Sequence, residues 1–227
     1  IYPEIIDRCW GASPSWLPDG GSFLYNRMQS ADVHNKDREK DSKTYLHIVG
    51  TDPVTDKDIF SREKYPDLGI KPEDFPIAVY DKDTKYIYGI LSTVDNRLDL
   101  YYAPFAELKK EKITWKHLFK PEDEVYGFMS TDKDIYVYTP KGAPKFKILK
   151  MSVANPDLKK AETFVPEDPR GTIVSAGLTS DGFYYAISEN GVIGKFLFIP
   201  KGEKAAKEIE LPFAAGAVYV SSKGFKF

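Results

Sequence analysis

Cys9 and three histidines, His34, His47 and His117, are the side chains in this sequence best suited to nucleophilic or acid–base chemistry. A catalytic nucleophile needs a neighbouring base that a third group holds in position. The histidines fall in a charged stretch, a predicted third strand and a predicted outer strand, and no pattern brings them together. We therefore predict no catalytic residue and interpret the histidines as surface or strand residues.

Sequence patterns for other common active sites are incomplete. The segment Gly11-Ala12-Ser13-Pro14-Ser15 approaches the Gly-x-Ser-x-Gly nucleophile turn but ends in Ser rather than Gly. One cysteine and scattered histidines give no zinc cluster, and no Gly-x-x-x-x-Gly-Lys-Ser/Thr phosphate loop occurs. Asp81-Lys82-Asp83 and Asp132-Lys133-Asp134 lack the glycine and distal Glu of a calcium loop, so we interpret them as hairpin turns. We predict no metal and no cofactor.

The elements that would position any site repeat along the chain. Four times, a polar turn with an Asp precedes an aromatic-rich strand, at spacings of 64, 49 and 49 residues. Glycine in two of these turns supplies the positive φ that tight hairpins require. A period near fifty residues with strand content alone indicates a β-propeller. The four turns are Asp19-Gly20, Asp83-Thr84, Asp132-Lys133 and Asp181-Gly182.

Prolines give a second marker in phase with the first. Each predicted third strand ends at a proline, which cannot donate to a strand ladder; these are Pro53, Pro104, Pro156 and Pro200. The sequence thus predicts an all-β fold, a partial β-propeller of about four to five four-stranded blades. The blades are predicted at residues 13–62, 76–119, 125–165 and 172–211, with a partial blade at 217–227.

Several segments carry further structural expectations. Residues 217–221 and 225–227 read as the first strands of the partial blade, and residues 2–7 are expected to add an outer strand to it. An unclosed arc would instead expose strand edges that can pair with another copy. Residues 28–43 are charged and lack apolar periodicity, so we expect a mobile loop that either is simply solvated or binds a partner. Because the sequence starts at Ile1 and ends in what reads as a strand beginning, we expect a fragment of a longer protein.

Composition limits the classes of partner. The 227 residues carry a net charge of −2 and a pI of about 6.0, which leaves no basic footprint for nucleic acid or an anionic membrane. No run of eighteen apolar residues occurs, so we predict no membrane span. A single cysteine excludes an intrachain disulfide. For a soluble chain, the compartment stays open between cytoplasm and periplasm.

The segment that leads into the first predicted inner strand holds the site candidates. In a propeller, such a segment lies at one mouth of the central channel, where a ligand can be held. Arg8, Cys9 and Trp10 are therefore candidate substrate-facing residues. The alternative, in which Trp10 packs at a joint between blades, remains open.

Short motifs in the first two predicted blades resemble those of one known family. Ser15-Trp16-Leu17-Pro18-Asp19-Gly20, followed by Phe23-Leu24-Tyr25-Asn26, is similar to a blade start in prolyl oligopeptidases. Tyr45-Leu46-His47-Ile48-Val49-Gly50-Thr51-Asp52 resembles the third strand and turn of that family. Asn96-Arg97-Leu98-Asp99-Leu100-Tyr101 resembles the same element one blade later. The similarity extends more weakly over the whole chain.

This resemblance implies an architecture and a role. Prolyl oligopeptidases are serine peptidases that cut short peptides after proline; an α/β-hydrolase domain carries the Ser-Asp-His triad, and a seven-bladed propeller caps it. The chain resembles roughly the third to sixth blades, and no triad residue matches a position in it. The resemblance thus implies a non-catalytic gate that filters short peptides by size and whose partner is the C-terminal hydrolase domain of the parent chain. The alternative is a propeller that binds a protein or peptide and has no peptidase domain.

Overall fold

The computed structural model describes residues 4–9 and 13–221 of the chain. Those residues form sixteen β-strands, joined by turns and short 3-10 helices. Each run of four consecutive strands makes one antiparallel sheet, in which every strand pairs with its neighbours in sequence. The predicted all-β fold of four-stranded sheets is confirmed. Within the part of the chain that the structure describes, no helix has the length and apolar character needed to cross a bilayer.

Each sheet occupies a contiguous stretch of sequence. The first sheet contains β1 (Ser15–Trp16), β2 (Ser22–Arg27), β3 (Lys43–Ile48) and β4 (Lys57–Phe60). The second contains β5 (Phe75–Asp81), β6 (Tyr86–Ser92), β7 (Leu100–Pro104) and β8 (Lys116–Phe119). The third contains β9 (Gly127–Ser130), β10 (Asp134–Thr139), β11 (Lys147–Ser152) and β12 (Glu162–Val165). The fourth contains β13 (Thr172–Leu178), β14 (Gly182–Glu189), β15 (Ile193–Pro200) and β16 (Lys207–Ile209).

Side chains in the predicted hairpin turns accept hydrogen bonds from the backbone N–H groups of the same turn. Asp19 accepts hydrogen bonds from the backbone N–H groups of Gly21 and Ser22, each at 2.9 Å, while Gly20 takes a φ of 65°. In the second sheet the equivalent acceptor is Asp81, the last residue of β5, which lies just before the turn. Its Oδ1 receives the N–H of Asp83 at 2.9 Å. The Asp of the predicted Asp83-Thr84 turn is thus a donor there rather than the cap.

Two of the four proline markers do not end strands. Pro104 and Pro200 are the last residues of β7 and β15. Pro53 and Pro156, in contrast, lie beyond the ends of β3 and β11. Pro53 begins a 3-10 helix that Asp52 caps, so the chain has already left the ladder before the proline is reached.

Some predicted strands are shorter than expected. β1 has two residues, because Pro14 and Pro18 on either side have no N–H to donate to a ladder. β7 begins at Leu100 rather than Arg97. The backbone N–H and guanidinium of Arg97 bind the Asp95 carboxylate instead, which keeps this part of the connection out of the sheet.

The predicted first strand of a fifth blade was wrong. Residues 217–221 form no strand: Val220 donates its N–H to the Ser175 hydroxyl at 2.9 Å rather than to the backbone of a neighbouring strand. The outer strand predicted at residues 2–7 was also wrong over Glu4–Asp7, which is held by side-chain contacts to the first sheet. Residues 2–3 and 225–227 lie outside the described residues, so the rest of these two predictions is not addressed.

The chain divides into two compact units, Ile1–Glu122 and Asp123–Phe227. In the first unit, the first and second sheets pack their inner faces around Phe60. Its ring lies 4.9 Å from that of Trp115 and 6.1 Å from that of Tyr101. Gly89 leaves room for this ring, since a Cβ there would come within 3.0 Å of it. Burying each such aromatic side chain contributes about 1.5–3 kcal/mol.

The second unit repeats this packing with the third and fourth sheets. Phe183 on β14 contacts Tyr136 and Phe164 across the sheet interface, with ring centroids 5.6 and 5.1 Å apart. Ile148 and Ile173 complete the fully buried centre.

The first three sheets share an irregularity at their outer edge. In each of them, the pairing of the third and fourth strands shifts register near the start of the third strand. Such a shift bends the strand that carries it.

The predicted loop after β2 is a folded connection of successive turns. Gln29 donates its N–H to the Arg38 carbonyl at 3.0 Å, which closes the stretch on itself. Asp41 donates its N–H to the Pro72 carbonyl at 2.7 Å, and Ser42 is buried. The connection is therefore closed on itself by one backbone hydrogen bond and tied to Pro72 of the first unit by another.

Candidate functional site

The segment of residues 4–9 crosses the first sheet from one end to the other. At one end, the Glu4 carboxylate accepts the N–H of Gly50 at 2.7 Å, just after β3. At the other, Met28 donates its N–H to the Arg8 carbonyl at 2.8 Å, and Cys9 forms a β-bridge with Arg27 at the end of β2. Because β2 and β3 are antiparallel, these contacts lie at opposite ends of the hairpin.

Arg8 and Cys9 lie at the β2 end of this segment, and Trp10 lies outside the described residues. Arg8 takes a φ of 58°, a left-handed conformation that is unusual for a residue with a side chain. Its Nε lies 3.2 Å from the Asp7 carboxylate, and its guanidinium donates to the Gln29 carbonyl at 3.1 Å. The Arg27 guanidinium binds the same Asp7 oxygen. Two cations thus share one carboxylate.

The pKa values of Asp7 and Cys9 are shifted in opposite directions by their surroundings. The hydrogen bond from Arg27 holds the pKa of the Asp7 carboxyl below its usual range. Burial raises the pKa of the Cys9 thiol, outweighing the nearby Arg27 charge. A thiol with a raised pKa is a weak nucleophile at neutral pH, because the thiolate is the reactive form. The structure places Arg8 and Cys9 at the same end of the segment, where the described partners of the Cys9 thiol are the carbonyl oxygens of Ile6 and Asp7.

A buried polar cluster that sequence reasoning missed lies under the same segment. His47 is fully buried, and its Nδ1 lies 2.9 and 3.1 Å from the two oxygens of Asp56. Tyr25 donates its hydroxyl to Asp56 at 2.7 Å. On the other side of the ring, Nε2 lies 3.8 Å from a Glu4 oxygen, too far for a hydrogen bond. His47 is therefore enclosed by two carboxylates, rather than being the ordinary strand residue that the sequence suggested.

The protonation of this cluster follows from its partners. Because the Asp56 carboxylate can only accept, His47 Nδ1 carries a hydrogen and donates it. Burial, reinforced by Asp56, raises the pKa of the Tyr25 phenol. The N–H of Gly50 is the main cause of the lowered pKa of Glu4. His47 Nε2 and one Glu4 oxygen are buried without a hydrogen-bond partner, so the junction of segment and sheet lacks hydrogen bonds that buried polar atoms usually make.

Hydrogen bonds to Asp56 and Glu4 tie the β2–β3 hairpin to the turn before β4 and to the segment of residues 4–9. The partners of His47 are carboxylates and aromatic rings, and His117 pairs with Asp99 at 2.7 Å while stacking on Tyr101. Neither imidazole holds a serine or cysteine, as nucleophilic catalysis requires. Across residues 4–9 and 13–221, no three His, Cys, Asp or Glu side chains are grouped as metal ligands.

A surface groove lies between the β1–β2 turn and the β5–β6 turn of the first unit. It measures about 550 Å³, and its walls include Trp16, Pro18 and Tyr80. Ser15 fixes the spacing of its walls, since its hydroxyl accepts the Tyr80 N–H at 2.9 Å. In the sequence, Trp16 stands out only as part of a blade-start motif. An aromatic residue next to a turn that begins with proline could have indicated this groove.

Comparison with known proteins identifies a family. The family model described as "Prolyl oligopeptidase, N-terminal beta-propeller domain" matches residues 1–223. Prolyl oligopeptidase A of Amanita bisporigera is 24% identical over 204 residues, covering 85% of this chain and 26% of that protein. Prolyl endopeptidase of Elizabethkingia miricola is 23% identical over 201 residues, covering 87% of this chain and 26% of that protein. The chain thus spans about a quarter of the length of these relatives.

Solved structures show the same fold. Prolyl oligopeptidase B from Galerina marginata, without ligand, superposes with a TM-score of 0.71 at 18% identity, covering 94% of this chain and 29% of that one. The S577A mutant of the same enzyme, bound to a 35mer hydrolysis and macrocyclization substrate, gives a TM-score of 0.73 at 17% identity with the same coverage. At this level of identity the likeness concerns the fold alone.

Proposed function

The chain belongs to the family of N-terminal β-propeller domains of prolyl oligopeptidases, and we propose that it is the non-catalytic gate of a serine peptidase that hydrolyses short proline-containing peptides. The observation that carries this proposal is the match of the propeller model to residues 1–223. It is supported by the four consecutive four-stranded antiparallel sheets, which are the repeat expected of a propeller. The proposed partner is a C-terminal α/β-hydrolase domain in the same longer protein.

We interpret the four sheets as blades of a larger ring. Their proposed limits are residues 13–62, 76–119, 125–165 and 172–211, within a seven-bladed parent. Strand edges left open in such a fragment would be sites of pairing with another copy. Arg8, Cys9 and Trp10 remain our candidates for facing the substrate, and Arg8 is the one whose partly exposed guanidinium has the charge to contact a peptide carboxylate.

Such a gate works by shape. Blades of four antiparallel strands are internally bonded and do not deform to admit a folded protein, whereas a short peptide can pass a narrow opening. Covering the active site also excludes water, which strengthens the electrostatic interactions of a catalytic triad. Opening of the domains on slower timescales would then control access of substrate. Selectivity by size needs no specific contact from the propeller.

The test is to compare two substrates in the full-length protein. A short peptide with one proline and a folded protein that carries the same cleavage sequence in an exposed loop differ in whether they can pass a narrow opening. We expect the short peptide to have a kcat/KM about 100-fold higher, equivalent to about 2.7 kcal/mol of transition-state stabilisation. Equal values would contradict the gate. The isolated 227-residue chain should cleave neither substrate, and cleavage by it that resists a serine-directed inhibitor would also contradict the proposal.

A further inference from the structure

The Glu4 carboxylate links the start of the described chain to the first sheet. One of its oxygens accepts the Gly50 N–H at 2.7 Å, and the same oxygen lies 3.8 Å from His47 Nε2. The Glu4 side chain is 12% exposed, and that of His47 is fully buried. Ile5 beside it is 84% exposed, so its side chain adds little apolar burial to this attachment. A change in the interaction between the carboxylate and the imidazole therefore changes how firmly residues 4–6 are held.

Two buried atoms at this contact have no hydrogen-bond partner among the described residues, namely His47 Nε2 and the second Glu4 oxygen. Buried polar atoms are normally paired. Because His47 Nδ1 carries the hydrogen that it donates to Asp56, Nε2 of the neutral ring has a lone pair and cannot donate. A second proton on the ring makes Nε2 a donor and places a positive charge beside the Glu4 carboxylate. Protonation thus supplies the hydrogen bond that the neutral ring lacks.

The geometry allows this hydrogen bond to form with a small movement. A shift of about 1 Å brings Nε2 and the nearer Glu4 oxygen from 3.8 Å to the usual N–H···O distance of about 2.9 Å. The His47 ring is fixed, since Asp56 holds Nδ1 at 2.9 Å and the Phe23 ring packs on it with centroids 5.1 Å apart. The movement therefore falls to the segment of residues 4–6.

The other titratable groups of the cluster keep their charge near neutral pH. Among the described residues, those that face the His47 ring are Glu4 from the segment, Tyr25 from β2 and Asp56 from the turn before β4. Burial raises the pKa of the Tyr25 phenol, so that group stays protonated. The Gly50 N–H is the main cause of the lowered pKa of Glu4, so that carboxylate stays ionised in weak acid. Of these side-chain types, imidazole is the one that ordinarily changes charge between about pH 5 and 8.

We propose that Glu4 and His47 form a proton-controlled latch, which holds residues 4–6 on the first sheet when the imidazole is charged and releases them when it is neutral. Because the charged ring interacts more favourably with the docked segment, acidification favours docking. The far end of the segment is attached by the backbone hydrogen bond from Met28 to the Arg8 carbonyl at 2.8 Å, which does not depend on a proton. The latch uses only contacts within the first unit and does not rest on the proposed gate.

The test measures exchange of the Gly50 amide with solvent by NMR in the 227-residue protein, since this N–H is bonded to Glu4. Its protection relative to an unstructured chain should be at least about tenfold greater at about pH 5.5 than at about pH 8. The matched control is the Gly21 amide, which donates to the Asp19 carboxylate at 2.9 Å. That carboxylate binds the Ser22 hydroxyl instead of a histidine, so protection of Gly21 should be the same at both pH values within about twofold.

Glu4→Gln separates the charge of the latch from its shape. His47→Gln is the direct variant, but it replaces a fully buried ring, so Glu4→Gln at the half-buried segment is the decisive one. Glutamine keeps an oxygen for the Gly50 N–H but has no negative charge for an imidazolium, so protection of Gly50 should no longer rise on acidification.

His117→Gln is the control variant, because it removes an imidazole that pairs with a different carboxylate, that of Asp99. It should leave the rise of Gly50 protection on acidification as in the parent. Equal protection of Gly50 at the two pH values in the parent, or greater protection at the higher pH, would overturn the proposal. An undiminished rise in Glu4→Gln would also overturn it, since the proton would then act through another group.

Discussion

Replacing Asp56 with Ala removes the acceptor on which two buried donors converge. Tyr25 donates to it at 2.7 Å and His47 Nδ1 at 2.9 Å, and both donors are buried. A hydrogen bond to a charged group contributes about 1.5–3 kcal/mol, and a buried donor left without its acceptor costs about 1–3 kcal/mol. Because both bonds depend on one carboxylate, we expect the free energy of unfolding of the first unit to fall by about 3–5 kcal/mol.

The assay is urea unfolding at pH 7, followed by tryptophan fluorescence, since Trp115 is buried in the core of the same unit. Asp56→Asn keeps one acceptor oxygen and should lose roughly half as much stability as Asp56→Ala. Asp67→Ala is the control: it removes an exposed carboxylate from the same unit and should change stability by less than about 0.5 kcal/mol.

A double-mutant cycle decides whether the cluster acts as a unit. Tyr25→Phe removes one donor, so combining it with Asp56→Ala should cost less than the two single losses together, with a coupling of about 1 kcal/mol or more. A loss below about 1 kcal/mol for Asp56→Ala, or full additivity in the cycle, would refute the reasoning that this carboxylate stabilises the sheet through both donors.

Three further predictions follow from close contacts and charge. Gly182→Ala should lower the stability of the second unit by about 3 kcal/mol in urea unfolding, because the new Cβ would lie 2.2 Å from the Ile199 carbonyl oxygen; Gly191→Ala, with open space around it, should cost only about 1 kcal/mol. Gly89→Ala should cost about 1–3 kcal/mol, and Phe60→Leu in the same protein should recover part of that loss, since the Cβ meets the Phe60 ring at 3.0 Å. The Arg170 hydrogen bond lowers the pKa of Asp168, so its contribution to stability is complete above about pH 4 and is lost as the pH falls through the lower folded pKa. Arg170→Met should therefore flatten the stability profile below about pH 4, whereas an unchanged slope would contradict this pairing.

The fold was predictable because its signals are local. A turn such as Asp19-Gly20 marks its hairpin within four residues, and the aromatic-rich run that follows each turn, such as that around Tyr136, forms a strand. Strand ends were less predictable. Pro53 lies after a turn that begins at the end of β3, so its position marks the connection and not the strand.

The buried cluster was not predictable in the same way. Tyr25 and His47 share a face of the first sheet, which strand alternation could have shown. Glu4 approaches His47 from a segment without strand periodicity, and Asp56 lies in the turn before β4. For neither residue does the sequence contain an alternation that would predict which way the side chain points. The groove was missed for a related reason: Trp16 and Tyr80 meet only because β1 and β5 lie side by side.

The contiguity of the four sheets has a consequence for synthesis of the protein. Every ladder joins strands that are neighbours in sequence, so no strand waits for a partner from a distant part of the chain. Local pairing of this kind lowers the contact order and favours rapid folding. Each sheet can therefore form soon after its fourth strand leaves the ribosome. An incomplete sheet then exists only for the time needed to translate one repeat, which limits the opportunity for nascent chains to aggregate through strands that still lack a partner in their own ladder.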